Sequence, residues 1–200
     1  PIHIGDVLIY KITAGFYSKR SHRVVGNDDC LLQMPEFKNI IRTVKRYIAE
    51  NPITIYDEAT GKGLVRHIYL RRGRVTGQIM VCLVVNGNTL PKKDRLITDL
   101  IECDKNITSI VLNINKKDTN VVLGDKCILV FGEERLSSEA LGVKYELSPL
   151  SFAQVNDKVR DGLYTEVISN INDGDIVVDA YSGAGLMSVL ASKNAKMVYG

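Results

Sequence analysis

Residues 177–185 read V-V-D-A-Y-S-G-A-G, an apolar stretch that ends in Asp179 and then turns through Gly183 and Gly185. In a doubly wound sheet, ligands bind beyond the carboxyl ends of the strands, and this turn occupies that place. Glycine lets the backbone come close to a ligand, and the small Ala184 keeps the turn open. The turn is not a dinucleotide fingerprint, because Ser188 stands where the third glycine of GxGxxG belongs. Taken alone, it also fits a tight strand-to-helix turn of any α/β protein. The thiols are Cys30, Cys82, Cys103 and Cys127. None forms a CxxC pair and no local His/Cys cluster has zinc spacing. Cys82 and Cys127 lie in apolar runs and read as buried small hydrophobes. Two groups of cations are candidates for phosphate contacts. One is the loop of Lys19, Arg20 and Arg23 around His22; the other is Arg66, Arg72 and Arg74, with His67 and Arg71 beside them. Both groups also read as exposed charge with structural histidines.

These residues need elements to position them. Residues 7–17 read as extended, and residues 18–29 as a polar loop. Met34, Phe37, Ile40, Ile41, Val44, Tyr47 and Ile48 recur at three- and four-residue steps, which predicts a helix with Pro35 in its first turn and Asn51–Pro52 at its end. Strands at 64–71 and 78–85 flank the loop 72–77 as a hairpin, and the second is continuously apolar, as a central strand is. A helix after Pro91 and strands at 109–113, 127–131 and 143–147 follow. Residues 1–150 thus form one mixed α/β domain with a largely antiparallel sheet. After Pro149 the pattern changes to a helix at about 156–170, a strand at 176–179, the glycine turn, a helix at 186–191 and a second strand at 196–199. That order is the start of a Rossmann-like sheet and makes residues 151–200 an incomplete second domain. Two strands cannot bury both faces of such a sheet, so the expectation is either a truncated chain, lacking also a natural start before Pro1, or a segment that is unstable as written.

The chain as a whole has 200 residues, 45% hydrophobic and 24% charged, an ordinary globular balance. No apolar run approaches the roughly 20 residues that span a bilayer, and no membrane partner is expected. There is no secretory signal, and scattered cysteines point to a reducing, cytoplasmic setting without disulfides. Residues 1–75 carry thirteen Lys and Arg against seven Asp and Glu, and residues 76–200 carry thirteen against sixteen. A basic half is compatible with a polyanion.

Several ordered segments together resemble the RNA (uracil-5-)-methyltransferase family. The strand–acid–glycine turn resembles the first motif of S-adenosylmethionine-dependent methyltransferases, and Asp179, Tyr181 and Gly183 resemble the family's D-x-Y-x-G loop. Ser148, Pro149, Ser151, Phe152, Gln154, Val155 and Asn156 resemble its S-P-x-S-F-x-Q-V-N segment. Gly15, Phe16, Tyr17, Ser21, His22 and Cys30 resemble its G-F-Y…S-H…C stretch. Asn113, Asn115, Thr119, Asn120 and Gly124 resemble N-x-N…T-N-x-x-x-G. The resemblance spans almost the whole chain.

The resemblance implies a part of an enzyme that makes 5-methyluridine in RNA, with 23S ribosomal RNA as substrate and a monomeric protein. A transfer RNA enzyme of the same family is the alternative, as is a non-catalytic RNA-binding module with a vestigial methyltransferase fold. A small-molecule methyltransferase fits the glycine turn but not the long preceding domain. Gln154 would contact the methyl donor, Tyr181 would lie over it, and Asp179, Ser182, Gly183 and Gly185 would line its turn. A helix-capping or turn role for Gln154 is the competing expectation. Cys30 matches the last of four ligands of a [4Fe-4S] cluster found in many members, the other three lying before Pro1. The family's chemistry uses a cysteine thiolate that attacks carbon 6 of uracil and a base that removes the carbon 5 proton. Both are expected beyond Gly200, as is the acid that holds the donor's ribose. No catalytic residue is expected in the chain itself, nor any activity.

Overall fold

The structure is a computed structural model that describes residues 2–8, 11–27, 29–154 and 156–200, and for residues 2–8 and 11 the backbone alone. Two compact units divide it: residues up to Arg72 with Gln78–Leu136, and Gly73–Gly77 with Ser137–Gly200. The first unit is a mixed α/β layer, in which β1 (Ile2–Leu8), β2 (Lys11–Tyr17) and β3 (Val24–Gly26) precede α1 (Pro35–Glu50). Next come β4 (Val65–Arg72), β5 (Ile79–Val85), α2 (Lys93–Cys103), β6 (Ile107–Ile114) and β7 (Lys126–Gly132). They build a seven-stranded sheet in the order β3-β2-β1-β4-β5-β6-β7. Its neighbours are antiparallel except β5 and β6, which are parallel and joined through α2. A parallel pair needs such a long crossover, so this is where a helix is required.

β5 explains the core. All its side chains are buried. Ile79, Val81, Leu83 and Val85 face Ile40, Ile41, Val44, Tyr47 and Ile48 of α1 and Leu96 and Leu100 of α2. By the two-residue alternation of a strand, Met80, Cys82 and Val84 are buried on the other face. The helical spacing read from the sequence is thus the stripe that α1 lays on the sheet. Pro35 opens α1, and the Asn51 amide closes it by donating to the Tyr47 carbonyl at 2.7 Å. The Tyr47 hydroxyl donates to the Pro91 carbonyl, and burial pushes that phenol up to about 12.

Two departures from the sequence expectation have local causes. The extended reading of residues 7–17 spans Ile9 and Tyr10, which lie outside the described residues; on either side, β1 and β2 pair as antiparallel neighbours. Within the expected polar loop, β3 adds an edge strand. It crosses Gly15 so closely that a Cβ there would overlap the Val25 carbonyl. That close approach has no signature in hydrophobic periodicity.

The loop between β6 and β7 is built by two asparagines. Asn113 is fully buried; its amide donates to the Gly124 carbonyl at 2.8 Å and its side-chain oxygen accepts from the Gly124 amide at 2.6 Å. Asn115 donates to the carbonyls of Val121 and Val122 at 2.7 and 3.1 Å and accepts from the Lys117 amide at 3.2 Å. Gly124 lies against the Ile114 carbonyl, where a Cβ would overlap it. The N-x-N and glycine positions therefore hold the loop, and they leave Thr119 and Asn120 at its tip.

The second unit begins with the hairpin β8 (Leu136–Ala140) and β9 (Val143–Leu147), continues through α3 (Asp157–Ser169), and ends in β10 (Ile176–Val178), α4 (Leu186–Ala191) and β11 (Met197–Tyr199). β8 was not expected. Its turn runs through Leu141 and Gly142 at φ of 47° and 76°, the pattern of a type I′ hairpin with a leucine where asparagine or aspartate is usual. β10 and β11 are parallel neighbours, as a Rossmann-like start requires. The compact units divide at Leu136 and Ser137, whereas the change of sequence pattern lies at Pro149.

Replacing Asn113 by Ala removes both bonds to Gly124 and leaves buried backbone groups unpaired. Urea unfolding should show a loss of about 2–4 kcal/mol, against less than about 0.5 kcal/mol for Asn120→Ala at the exposed loop tip. Equal losses would show that the asparagines do not hold the loop.

Candidate functional site

β10 carries the glycine turn. Its pairing continues past Val178, because the Asp179 amide donates to the Tyr199 carbonyl at 2.7 Å. The Asp179 carboxylate then accepts from the Ser188 hydroxyl at 2.8 Å. Ser188 sits in the first turn and a half of α4, so this bond ties the helix to the end of the strand. The third glycine of a dinucleotide fingerprint would have no hydroxyl to do this. Between the two, the Gly185 amide donates to the Ser182 carbonyl at 2.7 Å, and Gly183 and Gly185 adopt φ of 55° and 77°. A Cβ on Gly185 would meet nothing within 4 Å, and one on Gly183 only the Tyr181 carbonyl at 3.9 Å. The turn therefore presents open space in front of its backbone, which a ligand can fill, and the residues fit a bound adenosyl cofactor. Tyr181 is 98% exposed and projects from the turn. Gly200 follows β11 beside Ser182 and Ser188. Asp179, Ser182, Gly183 and Gly185 are thus brought together; Ser188 is the member that sequence reasoning passed over, although its place in the glycine spacing marked it.

The serine segment explains its own composition. The Ser148 and Ser151 amides each donate to the other residue's hydroxyl oxygen at 3.1 Å, and the two hydroxyls are 2.8 Å apart. Asn156 is the N-cap of α3, its side-chain oxygen accepting from the Val159 amide at 3.2 Å. The capping role thus belongs to Asn156. Gln154 lies between serine turn and cap, exposed and without a hydrogen bond among the described residues. Val155 lies outside the described residues.

The expected phosphate contacts divide. Lys19, Arg20 and Arg23 are exposed, and no ion pair among the described residues engages them. Arg72 instead holds Glu36 at 3.5 Å. Arg74 pairs with Asp161. Arg66 is a correction: it is 2% exposed, so it has no surface to offer a phosphate. Its guanidinium donates to the carbonyls of Asn115, Lys117 and Thr119 at 3.2, 2.8 and 3.4 Å and reaches Glu58 at 3.4 Å. It also lies 4.0 Å over the Tyr56 ring. In an alternating strand the sequence could not tell an inward arginine from an outward one. His67 beside it is buried too.

Arg160 was likewise unforeseen. It is 3% exposed and binds Asp157 and Asp161 at 2.7 Å each and the Tyr145 hydroxyl at 2.9 Å. Burial works against its charge, but these partners hold the guanidinium above its ordinary range. Burial would likewise raise the Asp161 carboxyl, yet Arg160 and Arg74 outweigh it and hold the group below its usual value.

Among the thiols, Cys82 is fully buried. Burial, with Cys127 nearby, pushes the Cys82 thiol well above its ordinary range, so it stays neutral. Cys30 is half-buried. A [4Fe-4S] cluster needs four thiolates, and among the described residues no group of three His, Cys, Asp or Glu could hold a metal, so Cys30 alone does not fit one. No helix among the described residues is long and apolar enough to cross a membrane.

No protein-family model matches the chain. It is 38% identical over 199 residues to a protein of Caldanaerobacter subterraneus described as an uncharacterized RNA methyltransferase, covering 98% of the chain and 44% of that protein. A Halalkalibacterium halodurans protein with the same description is 39% identical over 191 residues, covering 94% and 42%. The chain thus spans less than half the length of the curated relatives it matches. Among solved structures, the Pyrococcus abyssi tRNA (uracil-54, C5)-methyltransferase in complex with S-adenosyl-L-homocysteine superposes with a TM-score of 0.76 at 25% identity, over 92% of this chain and 45% of that one.

The depressed Asp161 carboxyl has a pH consequence. Its contribution is fully present above the ordinary value of 3.8 and is lost as pH falls from there through the lower folded value. Asp161→Asn should therefore cost stability at neutral pH, with wild type and variant converging below pH 3.8. Hydrogen exchange of α3 amides against pH measures this; parallel curves would remove the network from the account.

Proposed function

We propose that this chain, related over nearly its whole length to RNA methyltransferases, is part of an S-adenosylmethionine-dependent enzyme that methylates carbon 5 of uridine in 23S ribosomal RNA. The observation that carries the proposal is the β10 turn. There an acid ends a parallel strand, two left-handed glycines follow, and the space before them is open. The S-adenosyl-L-homocysteine complex of the similar Pyrococcus abyssi enzyme supports the cofactor, and its uracil-54 activity supports the base and carbon.

In this reading the bound cofactor supplies an electrophilic methyl group. The chain's own residues hold and orient it. Gly183 and Gly185 let the backbone approach it, Tyr181 covers it, Gln154 offers a neutral amide that both donates and accepts to its amino-acid end, and Asp179 is kept in place by Ser188. The exposed Lys19, Arg20 and Arg23 take RNA phosphates. Neither Cys30, Cys82, Cys103 nor Cys127 is assigned as nucleophile, and the attacking cysteine and the base are placed outside these 200 residues. Cys30 and the preceding Ser21–His22 segment support ribosomal RNA. The transfer RNA reading is favoured by the similar Pyrococcus abyssi structure, and binding decides between them. Cytoplasmic location belongs to the same proposal.

Calorimetry with S-adenosyl-L-homocysteine should show binding by the full-length protein of which this chain is part, abolished in Gly185→Val, whose branched side chain fills the ligand space at a left-handed residue. Fragments of 23S ribosomal RNA should bind more tightly than transfer RNA transcripts, and no 5-methyluridine should form with the chain and S-adenosylmethionine. Absence of cofactor binding sinks the proposal; preference for transfer RNA transfers it to the second reading; 5-methyluridine made by the chain overturns the placement of the nucleophile.

A further inference from the structure

The first unit contains a cleft of about 550 Å³, within the range of small-ligand sites. Tyr17, His22, Glu58, His67, Thr119 and Asn120 line it. We infer that this cleft, lined by residues of the first unit, takes a single unstacked nucleotide of the RNA, one whose base carries an exocyclic amine. The inference rests on the RNA reading above and deepens it.

Three observations converge. First, the walls are built rather than accidental. Arg66 joins the Glu58 loop to the carbonyls of Asn115, Lys117 and Thr119, and the Asn115 amide folds the tip back on Val121 and Val122. These buried bonds leave Asn120 exposed and Thr119 half-exposed at the mouth.

Second, the chemistry is that of base recognition. Tyr17 and His22 lie with ring centroids 5.4 Å apart and tilted by 60°, with His22 exposed, so a planar base can lie against the imidazole. The Tyr17 hydroxyl donates to Oε1 of Glu58 at 3.2 Å, and Arg66 binds the same oxygen at 3.4 Å. Burial and the Glu58 charge push the Tyr17 phenol upward, which keeps it a donor. Among the described residues no hydrogen bond engages the second Glu58 oxygen, which can accept an N–H from a ligand. Adenine, cytosine and guanine present an amine there, whereas uracil presents carbonyls on both sides of one N–H, which repel a carboxylate.

Third, the rim is cationic and strained. The Ser18–Ser21 turn closes by a backbone bond of 3.0 Å, and Arg20 within it has φ of 58°. A side chain in the left-handed region is disfavoured where glycine would be relaxed. The position nevertheless carries an arginine that lines the cleft, where it can meet the nucleotide's phosphate.

The test titrates the 200-residue chain with AMP, CMP, GMP and UMP, following amide chemical shifts, and separately with a single-stranded RNA dodecamer of mixed sequence. Shifts should centre on residues 17–22, 58, 67 and 119–120, with UMP weakest. His22→Ala and Asn120→Ala should bind the dodecamer about tenfold more weakly with unchanged melting temperature. Arg20→Gly should melt higher yet bind more weakly, with a salt slope reduced by about one. Shifts centred elsewhere, no shifts, UMP equal to the others, or variants that bind the dodecamer as wild type each overturn the inference, leaving the function proposal standing if S-adenosyl-L-homocysteine binds. Failure of that cofactor to bind, with the cleft shifts present, overturns the function proposal instead.

Discussion

One buried guanidinium organises the functional end of the first unit. Arg66 leaves β4 pointing inward, and its partners are mostly backbone carbonyls of a loop about fifty residues away in sequence, with Glu58 and the Tyr56 ring completing the shell. A charge taken out of water is costly unless it is hydrogen-bonded, so the surrounding loops must hold their carbonyls in place to receive it. The constraint runs both ways. The arginine fixes the loops, and the loops, stiffened by Asn113 and Asn115, hold the carbonyls that receive it. Removing it would leave several carbonyls without their donor and take from Glu58 its cation.

The second unit repeats this logic with smaller parts. Asn156 caps α3, Ser148 and Ser151 close a turn on each other, and Ser188 clamps the acid at the end of β10. Each residue of the S-P-x-S-F-x-Q-V-N segment whose side chain bonds locally has a backbone group to satisfy. Gln154 and Tyr181 do not; they are exposed. In the proposed function this difference separates the residues that shape the donor site from those that touch the donor. The same split holds in the first unit, where Asn113, Asn115 and Gly124 shape a loop and Thr119 and Asn120 face the cleft.

Charge is used in two distinct ways. Arg66, Arg72, Arg74 and Arg160 are engaged with carboxylates or carbonyls of the protein, and only Arg74 among them is substantially exposed. Lys19, Arg20 and Arg23 project from a short turn into solvent. The excess of cations in residues 1–75 therefore overstates the surface available to a polyanion, since part of it is spent on internal structure.

Hydrophobic periodicity and glycine placement in the sequence determined the elements that bury a face: α1, the continuously apolar β5, the strand before the glycine turn, and the open turn itself. These follow from local rules, because a helix stripe or a buried strand is written in adjacent residues. Tertiary structure alone decided the rest. β3 exists because its backbone crosses a side-chain-free Gly15, and β8 because a left-handed leucine turns the hairpin. The inward course of Arg66, the pairing of Arg74 with Asp161, the Ser188 clamp and the cleft over Glu58 depend on groups that are distant in sequence and on which face of a strand or helix each side chain leaves. An arginine or serine carries the same letter whether it meets a phosphate, a carbonyl or water, and only the packed fold says which.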